Sequence, residues 1–135
     1  MDSDPLSCDI IRLTFGSLNA LPDAVAQRVG KRPVGMVITL CMDVSVDEMA
    51  RFAERLIRIV DCTTVCCRGA LRDKLEYAID MAIVLRELED SDARSVQDGR
   101  GILTVSTDES VDDCINIMEP SLLKGGCVAV VATQL

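Results

Sequence analysis

Residues 34–42 read VGMVITLCM, the longest apolar run in a chain of 135 residues. A strand with one face in water alternates apolar and polar side chains. A continuous run therefore predicts a strand covered on both faces, as in a parallel sheet. Ser45 and Glu48 follow at capping-box spacing, where the hydroxyl accepts from the backbone N–H three residues on. Together these residues predict a buried strand that leads into a helix.

Similar runs recur along the chain and predict five strands. These are about Cys8–Phe15, Val34–Met42, Cys62–Arg68, Ile102–Thr107 and Cys127–Thr133. Apolar residues at helical spacing lie between them. The predicted helices are Leu21–Val29, one capped by Ser45, one that carries Leu75, Ala78, Ile79, Ala82 and Ile83, and one from Ser110 to before Pro120.

Strands that alternate with helices imply right-handed crossovers and a layered α/β architecture. We predict a single domain over residues 1–135, a length that one core commonly serves. The fold class is a three-layer open sandwich, Rossmann-like or flavodoxin-like. Its five-stranded sheet is mostly parallel, with helices on both faces.

Composition sets the nature of the core and the compartment. Hydrophobic residues make up 49% of the chain, with two Phe, one Tyr and no Trp, so the core is aliphatic. No apolar run approaches the roughly 20 residues of a membrane span, and the acidic N-terminus lacks an apolar signal segment. The seven cysteines are odd in number and lie mostly in apolar runs, as free buried thiols do. These features predict a soluble protein of a reducing cytoplasm.

The chain contains no histidine, which removes histidine-assisted nucleophiles and the commonest general base. Cys62 and Cys66 would lie about 13 Å apart along one strand face. That is too far for one zinc ion with bonds of about 2.3 Å. Neither GxGxxG nor GxxxxGK[ST] occurs. We predict no metal and no cofactor.

One short motif suggests chemistry. VCCRGALRD, residues 65–73, fits Cys-x-x-Gly-x-x-Arg at Cys66, Gly69 and Arg72. The spacing resembles the phosphate-binding loop of cysteine-dependent phosphatases. That resemblance implies a Cys66 thiolate as nucleophile, stabilised by a helix N-terminus and by Arg72, which would bind phosphate oxygens bidentately.

Asp43 or Asp108 would protonate the leaving oxygen in that hypothesis. Two departures oppose it: Asp73 stands where these phosphatases usually carry Ser or Thr, and Val65 stands where many carry His. The alternative interpretation of the motif is a buried strand end, and we favour that interpretation.

Ligands of open parallel sheets bind at the carboxyl ends of the strands, where helix N-termini favour anions. This argument predicts a ligand-binding edge formed by residues that follow the inner strands. They are Asp43, Arg68, Gly69, Ser106, Thr107 and Asp108. The alternative is structural, with the two aspartates capping helices and Gly69 serving a turn.

Charge indicates the kind of partner. The net charge of −8 disfavours nucleic acid, which needs a basic footprint. Residues 87–113 hold nine acids against two arginines, whereas residues 51–74 hold six bases against three acids. Such acidity either keeps the protein soluble or binds a basic partner. The predicted partner-binding residues are Glu87, Glu89, Asp90, Asp92 and Asp98.

Over about residues 34–133, the order of elements resembles an uncharacterised family of small bacterial α/β proteins. In that family a central strand ends in Trp-Gly, a helix carries an internal Val-Asp, and a later strand ends in Thr-Thr-Trp-His. The counterparts here are Arg68-Gly69, Ile79-Asp80 and Val105-Ser106-Thr107-Asp108. Only the glycine, the helical aspartate and one threonine match. The resemblance implies the fold and no activity.

Asp80 lies within the apolar helix segment YAIDMAIVL, where an isolated carboxylate is costly to bury. Two placements are open: an ion pair with Arg68, Arg72 or Arg51, or a solvated stripe on the outer face.

These observations predict a non-enzymatic acidic binding protein that recognises a basic protein, in an immunity-like, antitoxin-like or regulatory role. The alternative is a cysteine-dependent phosphatase or a phosphate-binding protein that uses the Cys66 loop. Residues 125–135, GGCVAVVATQL, predict an apolar strand at a sheet edge and hence a homodimer. No nucleic acid or membrane is expected as a partner.

Overall fold

The computed structural model describes residues 10–41, 43–89, 102–122 and 128–134. Its strands are β1 (Ile10–Phe15), β2 (Val34–Leu40), β3 (Cys62–Gly69), β4 (Leu103–Ser106) and β5 (Val128–Gln134). Its helices are α1 (Leu21–Val29), α2 (Val46–Ile59), α3 (Arg72–Glu89) and α4 (Val111–Leu122), with a short 3-10 turn at Leu18–Ala20.

All five strands belong to one parallel sheet with the order β1-β5-β2-β3-β4. The predicted α/β class with a five-stranded sheet is confirmed. The sheet is wholly parallel in the described chain, where the sequence predicted mostly parallel. Three predicted strand ends, Cys8, Met42 and Cys127, lie outside the described residues.

Helices cover both faces of the sheet, and crossover handedness explains which helix covers which face. From β2 through β3 to β4 the chain moves one strand at a time in one direction, with α2 and α3 on the same face. The return from β4 to β5 runs the opposite way across the sheet. A right-handed crossover then requires the other face, where α4 lies.

The two buried clusters on either face are mainly aliphatic. One unites α1, α2 and α3 with side chains such as Ile38 and Cys67. The other packs α4 against Val37, Cys66 and Val131. Neighbouring strand residues thus face opposite layers, and all seven residues of β2 are buried. This explains the continuous apolar run of β2, since both of its faces meet helices.

Helix starts follow the predicted caps. The Ser45 hydroxyl accepts from the Glu48 N–H at 3.1 Å, and the Ser110 hydroxyl accepts from the Asp113 N–H at 3.1 Å. The predicted end of α4 before Pro120 is wrong, because the helix continues through Leu122.

The C-terminal strand is not an edge. β5 lies between β1 and β2, pairing with β1 from Ala129 to Gln134 and with β2 from Val128 to Thr133. Its backbone groups are therefore occupied on both sides. The predicted homodimer through this strand loses its basis, since the outer strands of the sheet are β1 and β4.

Candidate functional site

The carboxyl ends of β3 and β4 form a topological switch point. From β3 the chain enters α3 on one face of the sheet, and from β4 it enters α4 on the other face. Open α/β sheets place ligand crevices where neighbouring connections diverge in this way. Most of the predicted ligand-binding edge lies here, namely Arg68, Gly69, Ser106, Thr107 and Asp108.

Arg68 holds this end of the sheet together. Its Nη1 donates to the Thr39 hydroxyl at 2.8 Å, and its Nε donates to the Glu109 carbonyl at 2.7 Å. The half-buried guanidinium thus connects β3, β2 and the loop before α4. These two contacts give Arg68 a structural role at the predicted ligand-binding edge.

Gly69 and Arg72 form the turn between β3 and α3. Gly69 has φ of +97°, and a Cβ built there would lie 2.0 Å from the Leu40 carbonyl oxygen. Arg72 Nη1 donates to the Gly69 carbonyl at 3.3 Å. The turn therefore brings the backbones of β2 and β3 close together, while Arg72 contacts the turn itself.

Cys66 lies inside β3 and not in a loop, because the strand continues for three residues to Gly69. The side chain is fully buried, packs against Cys114 and Met118 of α4, and places its sulfur 4.0 Å from the Cys114 carbonyl oxygen. Burial first, and then the neighbouring Cys114, raise the pKa of the Cys66 thiol to about 12. The thiol is neutral at physiological pH.

Cys66 and Arg72 belong to opposite layers of the fold. Cys66 faces α4, whereas Arg72 begins α3, whose buried Leu75 and Ile79 pack on the other face of the sheet. A phosphate-binding loop needs its thiolate and its arginine around one oxyanion. The described geometry gives the phosphatase hypothesis no support.

The predicted acids Asp43 and Asp108 are both exposed. Neither caps a helix through its side chain, since Ser45 and Ser110 fill those positions. Thr107 instead shapes the loop before α4: its hydroxyl accepts from the Glu109 N–H at 3.1 Å, and its N–H donates to the Cys67 carbonyl at 3.0 Å.

Two side-chain hydrogen bonds join α3 to β4, and the sequence analysis did not predict them. The Thr104 hydroxyl donates to Asp80 Oδ1 at 2.5 Å, and the Ser106 hydroxyl donates to Asp73 Oδ1. Residues two apart on a strand share a face, and residues seven apart on a helix lie two turns apart on one stripe. Asp80 is exposed and bonds this threonine, and no described arginine pairs with it.

Glu76 lies between these two aspartates on α3 and is half-buried. Desolvation, followed by the charges of Asp80 and Asp73, raises the pKa of Glu76 above its usual value. The folded state therefore holds this proton more tightly than the unfolded chain does. Ionised Glu76 destabilises the fold at neutral pH, and this penalty disappears as pH falls below the unfolded pKa.

We expect Glu76→Gln to stabilise the protein at pH 7 by about 0.5–1 kcal/mol, since it removes two like-charge helical pairs worth about 0.2–0.5 kcal/mol each. The gain should vanish below about pH 4, where the unfolded glutamate is protonated. Urea unfolding across this pH range measures it. Glu87→Gln, exposed at the far end of α3, is the control and should change stability by less than about 0.5 kcal/mol. A pH-independent difference would contradict the assignment.

Carboxylates dominate this end of the sheet. The loops and first turns that follow β2, β3 and β4 bring exposed acids to one rim, which we call the acidic edge. It comprises Asp43, Asp47, Asp73, Asp108, Glu109, Asp112 and Asp113. Arg68 and Arg72 are half-buried and bonded to neighbouring oxygens, whereas Lys74 is exposed nearby. Exposed carboxylates therefore outnumber exposed basic groups at this edge.

Glu87 is the predicted partner-binding residue whose side chain the structure describes, and it lies away from the acidic edge. Glu87 is exposed near the end of α3, about 21 Å along the helix from Asp73. Asp90, Asp92 and Asp98 lie outside the described residues, as does the side chain of Glu89. Asp108 and Glu109 belong to the same acidic stretch, residues 87–113, and they lie at the acidic edge.

Comparisons with protein-family models, with curated proteins and with solved structures give no match to this chain. The resemblance carried by Gly69, Asp80 and Thr107 thus stays a prediction. Within the described residues, no three acids or cysteines converge to hold a metal ion. No described helix combines the length and apolar character that crossing a bilayer requires.

Proposed function

We propose that this chain is a non-catalytic cytoplasmic domain that recognises a basic protein, in an immunity-like, antitoxin-like or regulatory role. The acidic edge is the observation that carries the proposal. Its seven carboxylates are exposed, and three helix starts of the fold bring them to one rim. A basic surface would be attracted to this rim and oriented by it.

The state of the buried cysteines supports a role without thiol catalysis in the core. Burial raises the pKa of Cys62 to about 12 and raises that of Cys67 further, as it does for Cys66. The buried thiols serve as small apolar groups in the core. Purified protein should not turn over p-nitrophenyl phosphate, and turnover abolished by Cys66→Ser would overturn the proposal.

Binding is tested by affinity capture from cells that naturally produce the protein, followed by titration of the purified partner. We expect a basic partner whose affinity falls as salt rises, because exposed charges are screened within about 10 Å at 0.1 M salt. Asp108→Asn with Asp112→Asn should weaken binding about three- to tenfold, since exposed ion pairs contribute about 0.2–1 kcal/mol each.

The control removes one charge away from the edge. Asp61 precedes β3 at the opposite end of the sheet, and Asp61→Asn should leave affinity unchanged. Glu87→Gln is tested separately, because Glu87 lies near the far end of α3 and belongs to the predicted partner-binding residues. A loss for Glu87→Gln without a loss in the edge variant would move the contact to α3. Salt-insensitive binding would contradict an electrostatic partner.

A further inference from the structure

The outer face of α3 is apolar although it faces away from the sheet. Of the eight large hydrophobic side chains exposed in the described chain, five lie on this helix. They are Tyr77, Met81, Val84, Leu85 and Leu88. Their spacing places them on one stripe about 100° wide, opposite the buried Leu75 and Ile79. α3 therefore presents two apolar faces, and only one of them packs on the sheet.

This stripe borders a groove of about 330 Å³ between α2 and α3. Tyr77 and Leu85 line one wall with exposures of 68% and 52%, and Val46 stands at the start of α2 with 72%. From Tyr77 to Leu88 the stripe extends about 16 Å along the helix axis. Contiguous exposed apolar surface is typical of interaction sites, and the length of this stripe matches about three turns of a helix laid alongside.

The charges around the groove oppose those of the rest of the chain. Arg51, Arg58 and Arg86 line it together with one acid, Glu54, in a protein whose net charge is −8. Arg58 lies 3.6 Å from Glu54, and Arg86 donates to the Ile57 carbonyl. Arg51 is exposed and makes no ion pair with any described residue. The groove is therefore a locally basic surface.

We infer that this groove binds an acidic amphipathic helix of another protein. Apolar side chains of that helix at i, i+3 or i+4, and i+7 would contact Tyr77, Met81 and Leu85. Carboxylates along its flanks would meet Arg51 and Arg86. Two copies paired through this face would bring six arginines and two glutamates together, and this excess of like charge opposes pairing. The surface adjoins the acidic edge at the first turns of α2 and α3, which carry Asp47 and Asp73, and it is opposite to that edge in charge.

The test is selection of displayed random peptides about 16 residues long, which form helices of about 24 Å, on the immobilised full-length chain. We expect peptides with an apolar stripe at helical spacing and flanking Asp or Glu. Fluorescence anisotropy with a selected peptide should show binding at least tenfold weaker to the Tyr77→Ala, Leu85→Ala double variant. Both side chains are exposed, so circular dichroism should confirm an unchanged fold.

Charge reversal separates electrostatics from apolar contact. Arg51→Glu should weaken the same peptide about fivefold or more, whereas Arg28→Glu, an equal charge change on the exposed surface of α1, should not. Asp108→Asn with Asp112→Asn should leave peptide binding intact, which distinguishes this groove from the acidic edge. Selected peptides that are basic, or that bind the Tyr77→Ala, Leu85→Ala variant equally, would overturn the inference. Sedimentation showing a dimer that this variant dissociates would also overturn it.

Discussion

Gly69→Ala should destabilise the protein by about 3–5 kcal/mol, a loss at the extreme of single substitutions. Two costs combine. The φ of +97° is strained for any residue with a Cβ, by about 1–2 kcal/mol. The new Cβ would also lie 2.0 Å from the Leu40 carbonyl oxygen. Because that oxygen belongs to the backbone of β2, relief requires the ends of β2 and β3 to separate.

Two other glycines serve as controls that separate the conformational cost from the steric cost. Gly30 has a positive φ of 63°, but a Cβ added there would meet no atom within 4 Å. Gly30→Ala should therefore cost only the conformational part, about 1–3 kcal/mol. Gly16 has neither feature, so Gly16→Ala should change stability by less than about 1 kcal/mol.

The measurement is proteolysis of the displayed protein across a protease series, which also reports variants that cannot be purified. A loss at Gly69 no larger than that at Gly30 would show that β2 and β3 do not approach as closely as described.

The fold could be predicted because its signal is local. Continuous apolar runs such as residues 34–40 identify strands covered on both sides, and Ser45 and Ser110 identify helix starts through contacts only three residues away. Strand order has no such signal. Residues 128–132 are continuously apolar, as an inner strand is, whereas the edge strands β1 and β4 carry polar residues such as Arg12, Thr14 and Thr104. That contrast indicates an inner position for β5, which the edge prediction overlooked, but it does not say which strands are its neighbours.

The site was less predictable because its contacts are distant in sequence. The bonds from Thr104 to Asp80 and from Ser106 to Asp73 depend on how α3 lies across β4, which no short spacing encodes. The Cys66 motif, in contrast, is a local pattern that suggested a site the fold does not form. Its spacing fits a loop, but β3 continues to Gly69 and buries the thiol beneath α4. Pairing with β2 extends β3 to Gly69, and this strand length places the Cys66 thiol in the core.

The groove was indicated in the sequence by a helix with more apolar residues than one buried face requires. Residues 77–85, YAIDMAIVL, are apolar around most of the helix, whereas a helix on one face of a sheet needs a single apolar stripe. Leu75, Ile79 and Ala82 account for the buried stripe. Tyr77, Met81 and Leu85 are exposed and do not belong to the buried stripe. The buried apolar residues of α3 stabilise the fold, whereas the exposed ones are available for binding.

Phe52→Ala and Tyr77→Ala should therefore have opposite consequences, although both remove a ring from the α2–α3 layer. Phe52 is 1% exposed and belongs to the main core. Its loss leaves a cavity and should cost about 3–5 kcal/mol. Tyr77 is 68% exposed, so its loss should change the free energy of unfolding by less than about 0.5 kcal/mol.

Urea unfolding of both variants, beside binding of a peptide selected on the wild-type chain, separates the two roles. At a temperature where Phe52→Ala remains folded, it should bind the peptide nearly as well as wild type. Tyr77→Ala should bind the peptide more weakly than wild type while it unfolds at the wild-type midpoint. A large stability loss for Tyr77→Ala would place its ring in the core and remove the docking surface. If Tyr77→Ala binds the peptide as tightly as Phe52→Ala and wild type do, the peptide does not bind at the apolar face of α3.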